Sequence, residues 1–451
     1  MTTGIQEETR LLSLCEEGVQ HALAAGADEA EVYATTSQEL TVGLEKNDLH
    51  QVRQVQETTF GLRVVSDKRI GFSTSNQPKN LKEAAEEALF LARASPPDPL
   101  NGLPAPQALG ASSHTPDSSL QALTAETLAP LAVELMREAK GHDKRLTIDT
   151  GAISVEEASR AIASSKGVRA SFRDCNAGGY LFGMCVDGDD VGSFSWDGDR
   201  VQRSAELRPA LSLAFERFVE KCAGAMNPGT GESFRGPIIL PPETVQDFLI
   251  QNLLSALTAD AVRTGRSPLK SRIGDAIASS AFSLLESGTG LPGFALSPFD
   301  REGMQRQAIP LIERGTLKDF LYNGYEARAA NRDSNGHAGG GPSSQPGVAA
   351  ACIQVQAGSQ SIAELHNVDK AIVVTRFAGT TDATTGDFSG VVKGGFLVSD
   401  GEKRPIDETT IAGNIYECLQ QISGISTETQ RIQGTVEAPW IRIENVSVTA
   451  G

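Results

Sequence analysis

The chemistry open to this chain of 451 residues depends on where its histidines, cysteines and acids fall. Hydrolysis through a bound zinc needs ligands spaced along a helix, with a glutamate beside them to take a proton from water. The six histidines are His21, His50, His114, His142, His337 and His366; none is followed by Glu, and no two lie within one or two helical turns. The six cysteines, Cys15, Cys175, Cys185, Cys222, Cys352 and Cys418, form no Cys-x-x-Cys pair. They read as reduced thiols, mostly buried as small hydrophobes.

Other patterns have a chemical reading and a plainer one. Ser267-Pro-Leu-Lys270 mimics the Ser-x-x-Lys of acyl-enzymes, but the companion motifs are missing and chance explains it. Gly288-Thr-Gly-Leu-Pro-Gly293 has the glycines of a dinucleotide site, yet Pro292 and the residues after it do not start a helix, so it reads as a turn. Asp382 and Asp387 could share a hard cation, or cap backbone turns in a loop that glycines and hydroxyls already favour; the second reading is preferred. His337 lies in Asn335-Gly-His-Ala-Gly-Gly-Gly341, expected to be a backbone-accessible loop. It reads either as an acid–base or substrate-contacting residue or, preferably, as a loop residue bonded to a carbonyl.

The densest segment is Phe377-Ala-Gly-Thr-Thr-Asp-Ala-Thr-Thr-Gly-Asp-Phe-Ser-Gly390, followed by Gly394-Gly-Phe-Leu-Val-Ser-Asp-Gly-Glu402 and Thr410-Ile-Ala-Gly-Asn414. It is rich in glycine and hydroxyls and has no histidine or cysteine, which suits shaping a site better than breaking a bond. Asp400-Gly401 between two short apolar runs predicts a hairpin with a type I′ turn. Pro405 lacks an N–H, so the second strand of that hairpin should have a free side. A helix over 411–423 is expected next, capped by Asp407 or Thr409.

The elements that must position these residues follow from hydrophobic period. Helices are expected over 9–25, 80–94, 125–140, 205–223 and 243–258. Strands are expected over 29–35, 39–45, 57–65, 69–75, 146–155, 167–173, 179–186, 190–196 and 236–240, with turns at Asn176-Ala-Gly-Gly and Asp187-Gly-Asp-Asp. Further strands are expected over 351–357, 371–375 and 440–448. The fold class is α+β, with mixed antiparallel-sheet and helix units followed by a β-rich C-terminal domain. The units are 1–95, a Pro-rich linker or irregular surface crossing over 96–120, a middle unit over 121–226 and a C-terminal domain over 233–451.

A hydrophobic share of 39% and a charged share of 22% describe an ordinary globular protein. The net charge of −17 argues against nucleic acid as a partner, because phosphate binding needs a basic surface. No signal-like N-terminal run and no membrane-length apolar stretch occur, so no membrane association and a cytoplasmic location are expected.

Several of these residues carry a resemblance. The chain resembles the TldD/PmbA family, once called modulators of DNA gyrase, and within it the PmbA (TldE) branch. The matching residues are Thr385-Gly-Asp-Phe-Ser-Gly390, Gly394 to Glu402, Pro405-Ile, Thr410 to Asn414, Pro298-Phe-Asp-Arg-Glu-Gly303, Gly26-Ala-Asp-Glu-Ala-Glu-Val32, Gly61-Leu-Arg-Val and Arg69-Ile-Gly-Phe-Ser-Thr74.

The resemblance implies two kinds of subunit. The TldD type carries His-Glu-x-x-x-His on a helix, plus a later cysteine, for zinc. That helix corresponds to 243–258 here, and its ligand positions fall on Ile250, Gln251 and Ser255. An apolar chain, a neutral amide and a hydroxyl cannot hold zinc. The resemblance therefore implies no cofactor in this chain, zinc in a TldD-type metallopeptidase partner, and a non-catalytic role in a heterodimer that trims unfolded or precursor peptides. A stand-alone homodimer that binds peptides without cleaving them is the alternative. The residues expected to form the substrate wall or the interface are His337, Gly339, Gly340, Gly341, Thr384, Thr385, Gly386, Asp387, Phe388, Ser389, Gly390, Gly394, Gly395 and Phe396.

Overall fold

The structure is a computed structural model that describes residues 2–110, 114–399 and 401–450. Its first half is built on long antiparallel strands: β1 (Glu29–Glu45), β2 (Asp48–Ser66), β3 (Arg69–Ser75), β4 (Leu146–Ser164), β5 (Arg169–Asp187), β6 (Asp190–Val191) and β7 (Ser195–Val201). They form one sheet in the order β3-β2-β1-β4-β5-β6, with β7 also on β5. This corrects two expectations. Segments expected to be separate strands are continuous, and the units 1–95 and 121–226 share a sheet because β1 pairs β4 from Glu31↔Ser164 to Glu45↔Thr150. The expected turn at Asn176–Gly179 lies inside β5, where Gly178 and Gly179 let β7 and β4 approach too closely for a Cβ.

Helices cover one face of this sheet. α1 (Thr2–Ala24) and α2 (Leu81–Ala94) bury Leu11, Leu12, Cys15, Leu81, Ala85 and Ala88 against Val32, Ala34, Phe60, Leu62 and Val64. The short α3 (Ser118–Gln121) precedes α4 (Ala125–His142), which packs with α5 (Ser204–Gly224) on Val42, Leu44, Ile148 and Leu181. Side chains alternate across a strand, so Glu31 and Tyr33 point away from the α1–α2 side. They are buried as well, because the segment 298–303 of the C-terminal domain covers that face.

The docking of the two halves is ionic as well as apolar. Arg63 reaches Glu31 at 2.7 Å and Glu302 at 2.8 Å, and Arg301 reaches Glu31 at 3.0 Å with its guanidinium 4.2 Å above the Tyr33 ring. All four charged side chains are at most 6% exposed. Asp300 beside them accepts from the N–H groups of Glu302, Met304 and Ala338. The Pro-rich stretch is the irregular crossing of the two expected options: Arg328 donates to the carbonyls of Leu100 and Gly102, and Tyr325 to Asp98.

The β-rich C-terminal domain is a 13-stranded sheet. Its main path runs from Thr316–Leu317 through Ile309–Glu313, Leu284–Glu286, Ile353–Val355, Val436–Ala450, β8 (Phe234–Leu240), Lys370–Val373 and Phe396–Ser399 to Glu402–Pro405. Pro405 thus sits in a terminal strand, where a missing N–H is tolerated. The hairpin before it pairs Ser399 with Glu402 and holds Gly401 at φ 80°; Asp400 lies outside the described residues.

A branch leaves Val436–Ala450: it pairs Thr409–Asn414, which pairs Asp387–Lys393, which pairs Arg376–Thr381. The expected helix over 411–423 is therefore corrected. Thr409–Asn414 is held as a strand between two neighbours, and the helix is only Ile415–Gln420, capped by Asn414 rather than Asp407 or Thr409. No helix among the described residues is long and apolar enough to cross a membrane.

Candidate functional site

The helical run 242–256 lies where a zinc-binding helix was expected from the resemblance. Its apolar stripe, Val245, Phe248, Leu249, Leu253 and Ala256, is buried as its spacing predicts. Its middle, Val245–Ile250, winds as a π-helix, so that Gln251 N–H bonds to the carbonyl of Gln246. Such turns are rare and cluster at functional sites. Ile250 is buried, while Gln251 and Ser255 are exposed, and the Ser255 hydroxyl donates back to the Gln251 carbonyl at 3.1 Å. None of these three side chains is a usual zinc ligand, and no group of three or more His, Cys, Asp or Glu side chains converges among the described residues. These residues do not fit a zinc ion.

The start of the same run forms one wall of a cavity of about 70 Å³, large enough for a few waters or one small polar group. Its other walls are Ser195–Gly198 of β7, Lys221 of α5, Thr375–Phe377, and Gln430 with Ile432. Lys221 donates to Asp197 at 2.7 Å and to Glu243 at 2.9 Å. Arg217 also pairs with Asp197, and Gln430 donates to Glu243. Burial favours the neutral form of Glu243, but the Lys221 charge and these hydrogen bonds outweigh it and hold the carboxyl below the usual carboxylate range. Asp247 is pushed up by burial and then by Glu243, and burial alone lowers Arg376.

The Thr244 hydroxyl lies 2.7 and 2.8 Å from the carbonyl oxygens of Val374 and Thr375, which fixes the cavity to the head of strand Arg376–Thr381. That strand pairs only with Asp387–Lys393 among the described residues. The Asp382 N–H bonds to the Asp387 carbonyl, in register with the Arg376↔Lys393 pairing. Antiparallel strands alternate bonded and non-bonded pairs, so Phe377, Gly379 and Thr381 direct their N–H and C=O groups to the open side. Gly379 faces Gly390, where an added Cβ would meet backbone at 2.4 Å. The Phe377 ring lies against this glycine pair, with its centroid 4.8 Å from that of Phe248.

The residues singled out in the sequence fall in three settings. Thr384, Thr385, Gly386, Asp387, Phe388 and Ser389 form the tip of the edge hairpin and the strand returning from it. There Asp382 accepts from the N–H groups of Thr384 and Thr385, and Asn414 donates to the Thr385 carbonyl and to Asp387. Asp382 and Asp387 therefore serve the turn, as preferred. Gly386 has φ +85°, and a Cβ there would strike the Tyr416 ring at 2.4 Å. Gly394, Gly395 and Phe396 pack near the end of α5, Phe396 within 2.9 Å of an added Cβ at Gly224. Gly339, Gly340 and Gly341 lie beside the first sheet: a Cβ on Gly61 would meet the Pro342 carbonyl at 2.2 Å, and Arg301 donates to the Gly341 carbonyl.

His337 corrects the expectation of an accessible loop. It is fully buried, its Nδ1 is 3.1 Å from the side-chain oxygen of Asn335, and its Nε2 is 3.8 Å from buried Glu286. Ser267 is buried too, donating to Ala256 O at 2.7 Å and accepting from Leu269 N–H, with no bond to Lys270 through its hydroxyl. Arg376, Asp247 and the open edge carried no sequence signal: a lone Arg before Phe377 matches no pattern, and an unpaired edge is a property of the sheet.

Known proteins share this fold. Residues 30–92 match the family described as PmbA/TldA metallopeptidase domain 1, and residues 233–450 match the PmbA/TldA metallopeptidase C-terminal domain. The chain is 25% identical to Metalloprotease PmbA of Escherichia coli O157:H7, over 95% of this chain and 96% of that protein. It is 24% identical to the Metalloprotease PmbA homolog of Haemophilus influenzae, over 94% and 92%. The crystal structure of TldE from Thermococcus kodakarensis superimposes with a TM-score of 0.88 at 25% identity, covering 97% of this chain and 100% of that one. Matches to both domain models, in order along a common fold, mean that this chain belongs to the TldD/PmbA metallopeptidase family.

Proposed function

We propose that this chain is the non-catalytic, PmbA/TldE-type subunit of a two-subunit zinc peptidase acting on unfolded or precursor peptides. One observation carries the reading: the helix that would hold zinc has Ile250, Gln251 and Ser255 at the ligand positions, and its first turn adjoins the head of an open strand edge. The zinc then belongs to a TldD-type partner. This chain contributes a surface on which an extended polypeptide is held by main-chain bonds to Phe377, Gly379 and Thr381. Main-chain pairing selects an unfolded backbone over a particular sequence, which suits a peptidase of loose specificity. Pairing also fixes the strand's register and strips water from its amides, so the scissile bond meets the partner's metal in one orientation.

The test is to purify the full chain alone and again after co-expression with a TldD-type subunit carrying His-Glu-x-x-x-His. Alone it should hold no stoichiometric zinc and leave a flexible peptide intact. The pair should co-elute as one species and cleave the peptide in a chelator-sensitive way. Chelator-sensitive cleavage by the isolated chain overturns the reading. Peptide binding by a homodimer that ignores the TldD-type subunit favours the stand-alone binder instead.

A further inference from the structure

The cavity at the head of the open edge holds an unmatched charge. Arg376 lines it, is only partly exposed, and its guanidinium makes no hydrogen bond or ion pair with the described residues. Two of the three carboxylates around it are paired. Asp197 is paired with Arg217 and Lys221, and Glu243 with Lys221 and Gln430. Asp247 is the remaining carboxylate on the wall; it feels the charge of Glu243 and forms no ion pair with Arg376. A part-buried guanidinium without a counter-ion is a fork-shaped receptor for a planar anion.

We propose that Arg376 and this cavity form a carboxylate-recognising subsite for the peptide that docks on strand Arg376–Thr381. Three features point to it. Phe377, whose N–H and C=O face the open side of the strand, also lines the cavity, so a chain paired with the edge reaches the neighbourhood of Arg376. The space of about 70 Å³ is large enough to admit a carboxylate. The Thr244 hydroxyl, within hydrogen-bond distance of the Val374 and Thr375 carbonyls, anchors the backbone that leads into Arg376, so the head of the strand is held before the ligand arrives. The carboxylate can be the peptide's C-terminus or an acidic side chain; both present the same planar pair of oxygens. This inference rests on the strand-edge reading above.

The experiment measures fluorescence anisotropy of N-terminally labelled flexible peptides against the full-length chain. Three probes differ only in charge: a free C-terminal carboxylate, a C-terminal amide, and an amide with one internal Glu. The free-acid peptide should bind roughly tenfold or more tightly than the amide. Arg376→Gln should erase that preference without changing the melting temperature, and Arg376→Lys should keep part of it. If the Glu-containing amide binds like the amide, the chain terminus is the source; if it binds like the acid, a side chain suffices. Equal affinity for all three probes, unchanged by Arg376→Gln, overturns the carboxylate subsite and leaves the strand edge standing. No binding of any probe overturns both.

Discussion

Side chains that look reactive in the sequence are here bonded into the scaffold. Ser267 spends both its donor and its acceptor on backbone, at Ala256 and Leu269. Ser267→Ala should therefore lower stability by about 1–2 kcal/mol, read by urea unfolding, and leave the peptidase rate of the assembled pair unchanged. A drop in that rate at full occupancy of folded protein would revive a serine mechanism. The same holds for the family-like run Thr385-Gly-Asp-Phe-Ser-Gly390. Its hydroxyls and glycines were legible as a turn, because Asp382 and Gly386 are the residue types a turn needs. Its role as a staple to Asn414 and Tyr416 was not, since the partners come from another strand of the branch and the helix that follows it. His337 was misread as accessible because the Gly-rich loop around it signals surface, whereas the carboxylate it faces, Glu286, comes from a distant strand.

Among the elements, the open edge strand carries the most testable geometry. Thr381 points its N–H away from Asp387–Lys393, so Thr381→Pro removes a docking donor without breaking the ladder. Peptide affinity should fall roughly fivefold or more while the melting temperature holds. A large loss of stability would show that the outward register is assigned to the wrong residues. The Gly379–Gly390 pair makes the opposite prediction. Gly390→Val must push on Gly379 and on the Phe377 ring, which should destabilise the domain by about 2–3 kcal/mol in chemical denaturation. At this scale the apolar stripe of the helix 242–256 was readable from its spacing, but its π turn was not, because the pattern of buried positions is shared by both windings. The helix expected over 411–423 failed for a related reason: Ile411 and Ile415 suit either a helical face or a strand followed by a helix, and only the two flanking strands decide.

For the molecule as a whole, the cluster of Arg63, Glu31, Arg301 and Glu302 couples the first sheet to the C-terminal domain. Arg63→Met would strand buried Glu302 and leave Glu31 with Arg301 as its one counter-ion, and should reduce stability by about 3–5 kcal/mol, with the two halves melting separately in calorimetry. Burial favours the neutral form of Glu302, but the charge and hydrogen bonds of Arg63 and the Gly324 N–H win and hold its carboxyl below the usual range. A depressed folded-state value means the stabilisation is present above the unfolded carboxylate pKa and is lost as pH falls through the folded one. Acid should therefore loosen the docking, and Arg63→Met should abolish that acid-dependent step in melting curves. A step that survives the substitution places the titrating group elsewhere.

By itself the sequence determined the α+β class, the β-rich C-terminal domain, the thiols that are all buried and unpaired, and the absence of ligand chemistry on the helix at 250–255. These follow from local period and residue type, which a single chain displays in full. Only the tertiary structure decided that the first two units share one sheet, that the histidine loop is interior, and that an open edge ends beside an unpaired arginine. Those are properties of strand pairing between segments far apart in the chain, where no local pattern records which neighbour arrives or which edge is left without one.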